Sequence, residues 1–202
     1  IPALVTGKAD VLQAGKAPLL VLPHGGPESY DRFGFDWMAQ YFASRGIVVL
    51  QPQFRGSSGF GLSFAEAGLG EWGDKMQTDL DDGVHHLIAE GIADPDRICI
   101  AGASYGGYAA LAAGAFSPEK YKCIISVAGV SDLYEMLADE RGAYGKEHWV
   151  IQYWQDQYGA TTKDKEFMRS ISPAYYAENF SAPVLLLHGK DDTVVDISQS
   201  KR

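Results

Sequence analysis

Two glycines flanking a single serine constrain this chain more than any other feature. Residues 97–101 have the apolar pattern of a buried strand and run directly into Gly102-Ala103-Ser104-Tyr105-Gly106, after which the small-residue stretch 107–115 reads as a helix. A strand that becomes a helix within so few residues passes through a sharp, strained turn, with Ser104 at the apex and its hydroxyl lifted clear of the sheet. Side chains two residues to either side would run into the turning chain, so positions 102 and 106 call for glycine. The N–H groups of the first helical turn, with the positive end of the helix dipole, favour negative charge developing beside Ser104. That is the setting of a serine nucleophile. With 23 glycines in the chain the five-residue pattern can arise by chance; the strand before it and the helix after it give it weight.

The whole chain sets the frame. A length of 202 residues fits one domain with a substantial core, and 46% hydrophobic with 21% charged residues is ordinary globular composition. A formal net charge of −9 and the lack of a basic cluster argue against nucleic acid or an anionic membrane surface as partner. No apolar run approaches the length of a membrane span. The first residues, Ile1-Pro2-Ala3-Leu4, have no starting Met and no signal-peptide pattern, so the sequence reads as the interior of a longer chain. Cys99 and Cys123 each fall in a predicted buried strand, where they are expected to be free thiols acting as small hydrophobes. Their spacing suggests neither a disulfide framework nor a metal site, and no cofactor is expected. The compartment, cytoplasmic or periplasmic, stays open.

Apolar runs of strand length at 19–22, 47–50, 97–101, 123–127 and 184–187 alternate with helical patterns at 37–45, 75–90 and 107–115. That rhythm predicts an α/β fold with a mostly parallel sheet buried on both faces by helices. In the second helix Leu80, Val84, Leu87 and Ile88 share one face opposite its carboxylates. Gly46 and Gly91 stand where helix C-caps belong, and Asp94-Pro95-Asp96 is a predicted turn leading into the serine strand. Residues 130–182, rich in Tyr, Trp and charge, break the rhythm and are expected to form an excursion over the active site.

Acyl transfer by Ser104 also needs a base, a carboxylate to orient that base, and donors for the oxyanion. In chain order the carboxylate follows the serine, and open α/β sheets carry their chemistry at the carboxyl ends of strands. The strand at 184–187 ends in His188-Gly-Lys-Asp191-Asp192, which supplies two candidate acids. One oxyanion donor is expected to be the backbone N–H of Tyr105. A second belongs in the loop after an earlier strand, where Pro23-His24-Gly25-Gly26-Pro27 lets backbone approach a ligand closely.

Taken in order, His24-Gly-Gly-Pro27, Arg55-Gly-Ser-Ser-Gly-Phe-Gly61, Gly102-Ala-Ser-Tyr-Gly-Gly-Tyr108 and His188-Gly-Lys-Asp-Asp192 resemble the prolyl oligopeptidase family of serine peptidases, nearest its acylaminoacyl- and dipeptidyl-peptidase branches. The resemblance spans nearly the whole chain. It implies an α/β-hydrolase fold, Ser104 as nucleophile, Asp192 as the orienting carboxylate with Asp191 a solvated neighbour, and the amides of Gly26 and Tyr105 as oxyanion hole. It further implies that Val130, Leu133 and Met136 line an apolar specificity pocket, and that short peptides are the substrates. Arg55 is expected to pair with Asp79 on the 75–90 helix.

The resemblance has gaps. In the family the catalytic histidine lies some way past the aspartate, and none of His24, His85, His86, His148 and His188 fits that place. Family members also carry an N-terminal β-propeller for which this chain has no counterpart. The expectation is therefore an incomplete catalytic domain, truncated at its C-terminal end and close to inert alone. Two other readings stay open at this point: a carboxylesterase or lipase on the same fold, and a non-catalytic hydrolase-fold binding domain. A homo-oligomer of the full-length protein is also left open.

Overall fold

The computed structural model describes residues 1–201. Six strands form one sheet: β1 (Ala3–Thr6), β2 (Ala17–Val21), β3 (Val48–Pro52), β4 (Ala93–Ala103), β5 (Cys123–Val127) and β6 (Val184–Leu187). Their order across the sheet is β1-β3-β2-β4-β5-β6, with β1 antiparallel to β3 and every other pair parallel. The order reverses at β2, which has β3 on one side and β4 on the other. The carboxyl ends of β2 and β4 therefore flank a topological switch point, the usual place for a ligand crevice in such sheets.

Helices cover both faces because the strand side chains alternate. Leu19, Val21, Leu50, Ile98, Ile100 and Ile124 point to one face. There they meet α4 (Lys75–Ala89) and α5 (Tyr105–Phe116). Leu20, Val49 and Ala101 point to the other face, where Ala39 of α2 (Trp37–Ala43) packs on them. Two short helices complete the element list: α1 (Ala9–Ala14), whose Val11 and Leu12 pack against the first face, and α3 (Leu62–Glu66). The expected excursion contains α6 (Leu133–Tyr144), α7 (Trp149–Tyr158) and α8 (Lys165–Ser170), followed by a 3₁₀ segment.

Three expectations change. The cysteines are not free: Cys99 and Cys123 are register partners on the adjacent strands β4 and β5 and form a disulfide, their Cα atoms 4.7 Å apart. Two cysteines on separate strands carry no pairing signal until the register between those strands is known. The strand at 184–187 is not buried on both faces. Val184 to Leu187 are 40–50% exposed at the edge of the sheet. Asp94-Pro95-Asp96 does not precede the serine strand but lies within β4, where pairing with β2 shifts between Ala17/Ala93 and Leu19/Ile98. The Asp94 side chain still accepts the Asp96 N–H at 2.9 Å, so the local turn chemistry survives as an irregularity in the strand.

Arg55, three residues past the end of β3, meets Asp79 of α4, as expected. Asp79 Oδ2 accepts the backbone N–H and Nε of Arg55, both at 2.8 Å, while Oδ1 accepts Nη2 at 2.7 Å. Asp79 is 2% exposed, so these bonds replace its hydration, and they raise the Arg55 pKa further. The pair pins the loop after β3 to a core helix. Replacing Asp79 by Ala would strand a partly buried guanidinium and its backbone N–H. We expect a loss of about 2–4 kcal/mol, read as a shift in the urea midpoint with an unchanged slope.

Candidate active site

Ser104 sits between β4 and α5 with φ 56° and ψ −119°, a region that non-glycine residues seldom occupy. Its N–H donates to the Val127 carbonyl of β5 at 2.9 Å, anchoring the turn to the neighbouring strand. A Cβ at Gly102 would overlap the backbone of Gly106, and one at Gly106 would overlap the Pro23 carbonyl. Both sequence-predicted glycines are thus required by backbone packing, and the second brings the loop after β2 against the elbow. Ser104 itself stays partly exposed while Tyr105 to Ala110 are buried.

As the first residue of α5, Tyr105 has a backbone N–H without an intrahelical acceptor. The loop after β2 faces it. A Cβ built on Gly25 would stand 3.2 Å from the Ala103 carbonyl oxygen and 3.5 Å from Ser104 Cβ. Gly26 has φ 127°, and a side chain there would lie 2.8 Å from the Glu28 nitrogen, so only glycine fits. Next to it, the His24 ring stacks on Phe54 with centroids 4.3 Å apart. His24 Nδ1 lies 2.8 Å from the Gly25 carbonyl oxygen and Nε2 lies 2.9 Å from Ser57 Oγ. Glu28, just past the loop, accepts Gln157 Nε2 of α7 at 2.7 Å.

Asp192 lies in the loop after β6 with its side chain 23% exposed. Its Oδ1 accepts the N–H groups of Val194 and Val195 at 2.9 and 3.0 Å, and these bonds hold its pKa below the ordinary carboxylate value. Asp191 is exposed. His188, four residues earlier, has Nδ1 2.7 Å from Ser200 Oγ and Nε2 2.8 Å from the Val195 carbonyl oxygen; the nearer Asp192 oxygen is 3.9 Å away. Asp192 and Met136 share a cavity of about 640 Å³ with Glu140, Tyr144 and Val194. Val130 and Leu133 do not line that cavity: they are buried in the core, 1% and 0% exposed.

An aromatic cluster behind the elbow escaped the sequence reading. Trp72 contacts Tyr105, Tyr108, Trp154 and Tyr158 at centroid distances of 4.6–6.2 Å, joining α5 to α7 of the excursion. Tyr105 and Tyr108, three apart on one helix, were a faint signal. Trp72 and α7 are too distant in sequence to have been added to it. Among the described residues no group of three His, Cys, Asp or Glu side chains could hold a metal ion, and no helix is long and apolar enough to cross a membrane.

Comparisons with known proteins fit this geometry. Residues 33–202 match the family described as the prolyl oligopeptidase family. The chain is 35% identical over 205 residues to dipeptidyl aminopeptidase BIII of Pseudoxanthomonas mexicana, covering 95% of this chain and 28% of that protein. It is 34% identical over 192 residues to dipeptidyl peptidase family member 6 of Caenorhabditis elegans, covering 90% and 25%. Among solved structures, an acylaminoacyl peptidase of Pyrococcus horikoshii superposes with a TM-score of 0.86 at 30% identity, covering 98% of this chain and 31% of the other. The chain spans about a quarter of the length of the curated relatives it matches.

The segment after the glycine loop carries its own pH signature. Asp31 Oδ2 is buried without a partner, and burial, reinforced by Asp36, pushes the Asp31 pKa up to about 6. Above that pH a charge is held where folding disfavours it. Between the unfolded value near 4 and about 6 the folded state holds the extra proton, so this group's contribution to stability falls as pH rises through that window. Asp31→Asn should therefore raise Tm at pH 7 and have little effect at pH 4. Equal melting shifts at the two pH values would contradict the assignment.

Proposed function

The chain belongs to the prolyl oligopeptidase family, and on that premise we propose that it carries the nucleophile of a serine peptidase cleaving short peptides, of the acylaminoacyl- or dipeptidyl-peptidase type, through an acyl-enzyme. The observation that carries this reading is the elbow: Ser104 at positive φ, with the Tyr105 N–H and the glycine loop beside it. Ser104 Oγ attacks the substrate carbonyl carbon as its proton passes to a base. The carbonyl oxygen becomes an oxyanion and receives the N–H groups of Tyr105 and Gly26. The C–N bond then breaks, the departing amine takes the proton, and water releases the acyl group from Ser104 by the same steps.

Asp192 is suited to orient the base. Its Oδ1 is occupied by two backbone N–H groups, which keeps the carboxylate ionised and leaves Oδ2 for an imidazole N–H. The base itself is proposed to be a histidine from outside these 202 residues. Both ring nitrogens of His24 and His188 are engaged, His148 caps α7, and His85 and His86 lie exposed on α4. In this reading the 130–182 excursion forms a wall of the substrate site. Met136 faces the cavity shared with Asp192, whereas Val130 and Leu133 are buried in the core.

In the intact natural protein, Ser104→Ala should abolish both peptide-anilide turnover and covalent labelling by a fluorophosphonate, with the far-UV spectrum unchanged. Stoichiometric labelling of that variant would place the nucleophile elsewhere. Asp192→Asn should lower kcat by about 10⁴-fold, the scale known for the orienting acid of a serine triad, while Asp191→Asn changes it by a small factor. A larger loss at position 191 would reverse the assignment.

A further inference from the structure

We infer that Ala128 is a positioning residue: the turn it makes at the end of β5 sets the place of Ser104 relative to the loop of Asp192. The inference rests on the reading of Ser104 as nucleophile and Asp192 as its orienting carboxylate.

Strand order separates the two groups. Ser104 follows β4 and Asp192 follows β6, and β5 runs between those strands. The two loops therefore have β5 as their shared neighbour in the sheet. A single peptide group at its carboxyl end reaches both. The Val127 carbonyl accepts the Ser104 N–H at 2.9 Å, and the Ala128 N–H donates to the Leu187 carbonyl at 2.8 Å. Those two groups belong to one planar unit, whose C=O and N–H point in opposite directions. Leu187 ends β6 and is followed by His188, where the loop of Asp192 begins. A tilt of the Val127–Ala128 plane thus disturbs both contacts at once.

The plane is held by the turn that follows it. Ala128 has φ 46°, a left-handed conformation that is costly for a residue with a Cβ. Among the described residues three non-glycine residues have positive φ, and two of them meet here. Ser104 donates the hydrogen bond, and Ala128 completes the peptide that accepts it. The left-handed turn also brings the next residue onto the elbow helix. A Cβ on Gly129 would stand 2.7 Å from the Gly107 carbonyl carbon, and one on Gly107 would stand 2.6 Å from Gly129 Cα. Gly107 lies in α5, two residues past Tyr105. An extended backbone at position 128 would carry the chain away from α5 and release that contact. Strain of this kind persists where the surroundings over-determine it. Here two hydrogen bonds hold the plane from the sheet and the Gly107–Gly129 contact holds it from the helix.

The test measures peptide-anilide turnover by the intact natural protein carrying Ala128→Asn, Ala128→Val or Gly129→Ala, each alone and combined with Asp192→Asn. Asn adopts the left-handed conformation readily, whereas β-branched Val resists it. Gly129→Ala displaces the same turn by pressing it off α5. Misplacing reacting groups by about 1 Å costs on the order of 10²-fold in rate. Ala128→Val and Gly129→Ala should therefore lose about 10–10²-fold in kcat with KM changed by a small factor. Ala128→Asn should keep kcat within a small factor. In the Asp192→Asn background the carboxylate to be aligned is gone, so both displacing changes should cost only a small factor more. A merely structural role would give losses that multiply in the combined variants. Melting curves show which variants fold, and either displacing variant carries the comparison. Wild-type kcat in a displacing variant, a loss in Ala128→Asn as large as in Ala128→Val, or losses that multiply with that of Asp192→Asn overturns the inference. Near-wild-type kcat in Asp192→Asn alone would instead overturn the carboxylate reading, and turnover surviving in Ser104→Ala the nucleophile reading.

Discussion

Backbone pressed against backbone at the end of β4 is the contact on which the site depends. Gly102 lies against Gly106, and Gly106 against the carbonyl of Pro23, with no room for a Cβ at either glycine. The first contact makes the turn tight enough to hold Ser104 at positive φ. The second locks the loop after β2 to the same turn. Because β2 and β4 are neighbours at the point where the strand order reverses, the two loops meet without any long connection having to bridge them. A methyl group at position 106 would push apart Ser104 and the glycine loop in a single step.

Around that contact the chain spends polar groups as well as apolar ones. Asp79 is buried and satisfied by three donors from one residue, which ties α4 to the loop after β3. The aromatic cluster around Trp72 holds α5 against the excursion from the other side. Together they fix the neighbours of Ser104 against elements that are themselves anchored in the core.

The elbow and the alternation of strands and helices were legible because each is written in local pattern, glycine spacing and apolar periodicity; the Arg55–Asp79 pair needed the family's placement of Arg55 as well as an acid on an amphipathic helix. What depended on register or on distant partners was not. Cys99 and Cys123 meet only because β4 and β5 align with those residues opposite each other. The apolar run at 184–187 has the same composition as the buried strands, and among the described residues it has a sheet neighbour on one side only. The Asp94-Pro95-Asp96 turn was read correctly as chemistry and misplaced as a boundary, since β4 resumes pairing on both sides of it. Of the proposed site residues, Ser104 and Tyr105 follow from the turn, and Gly26 is singled out within the glycine loop by the family resemblance, whereas the contact of His24 with Ser57 joins residues 33 apart.

Gln199 gives the proposed pocket wall and the loop of Asp192 a shared fate. Only 3% exposed, it accepts the N–H groups of Ser131 and Asp132 at 2.8 Å, takes the Ser131 hydroxyl on its own carbonyl, and returns an N–H to the Asp132 carbonyl at 3.1 Å. The start of α6 and the segment that follows Asp192 are thereby welded into one body. On the proposed reading of the site, selectivity and carboxylate placement then cease to be separate variables for evolution or engineering. A substitution that shifts α6 to admit a larger side chain drags the carboxylate with it, whereas a change confined to the far end of α6, beyond the weld, alters the wall alone.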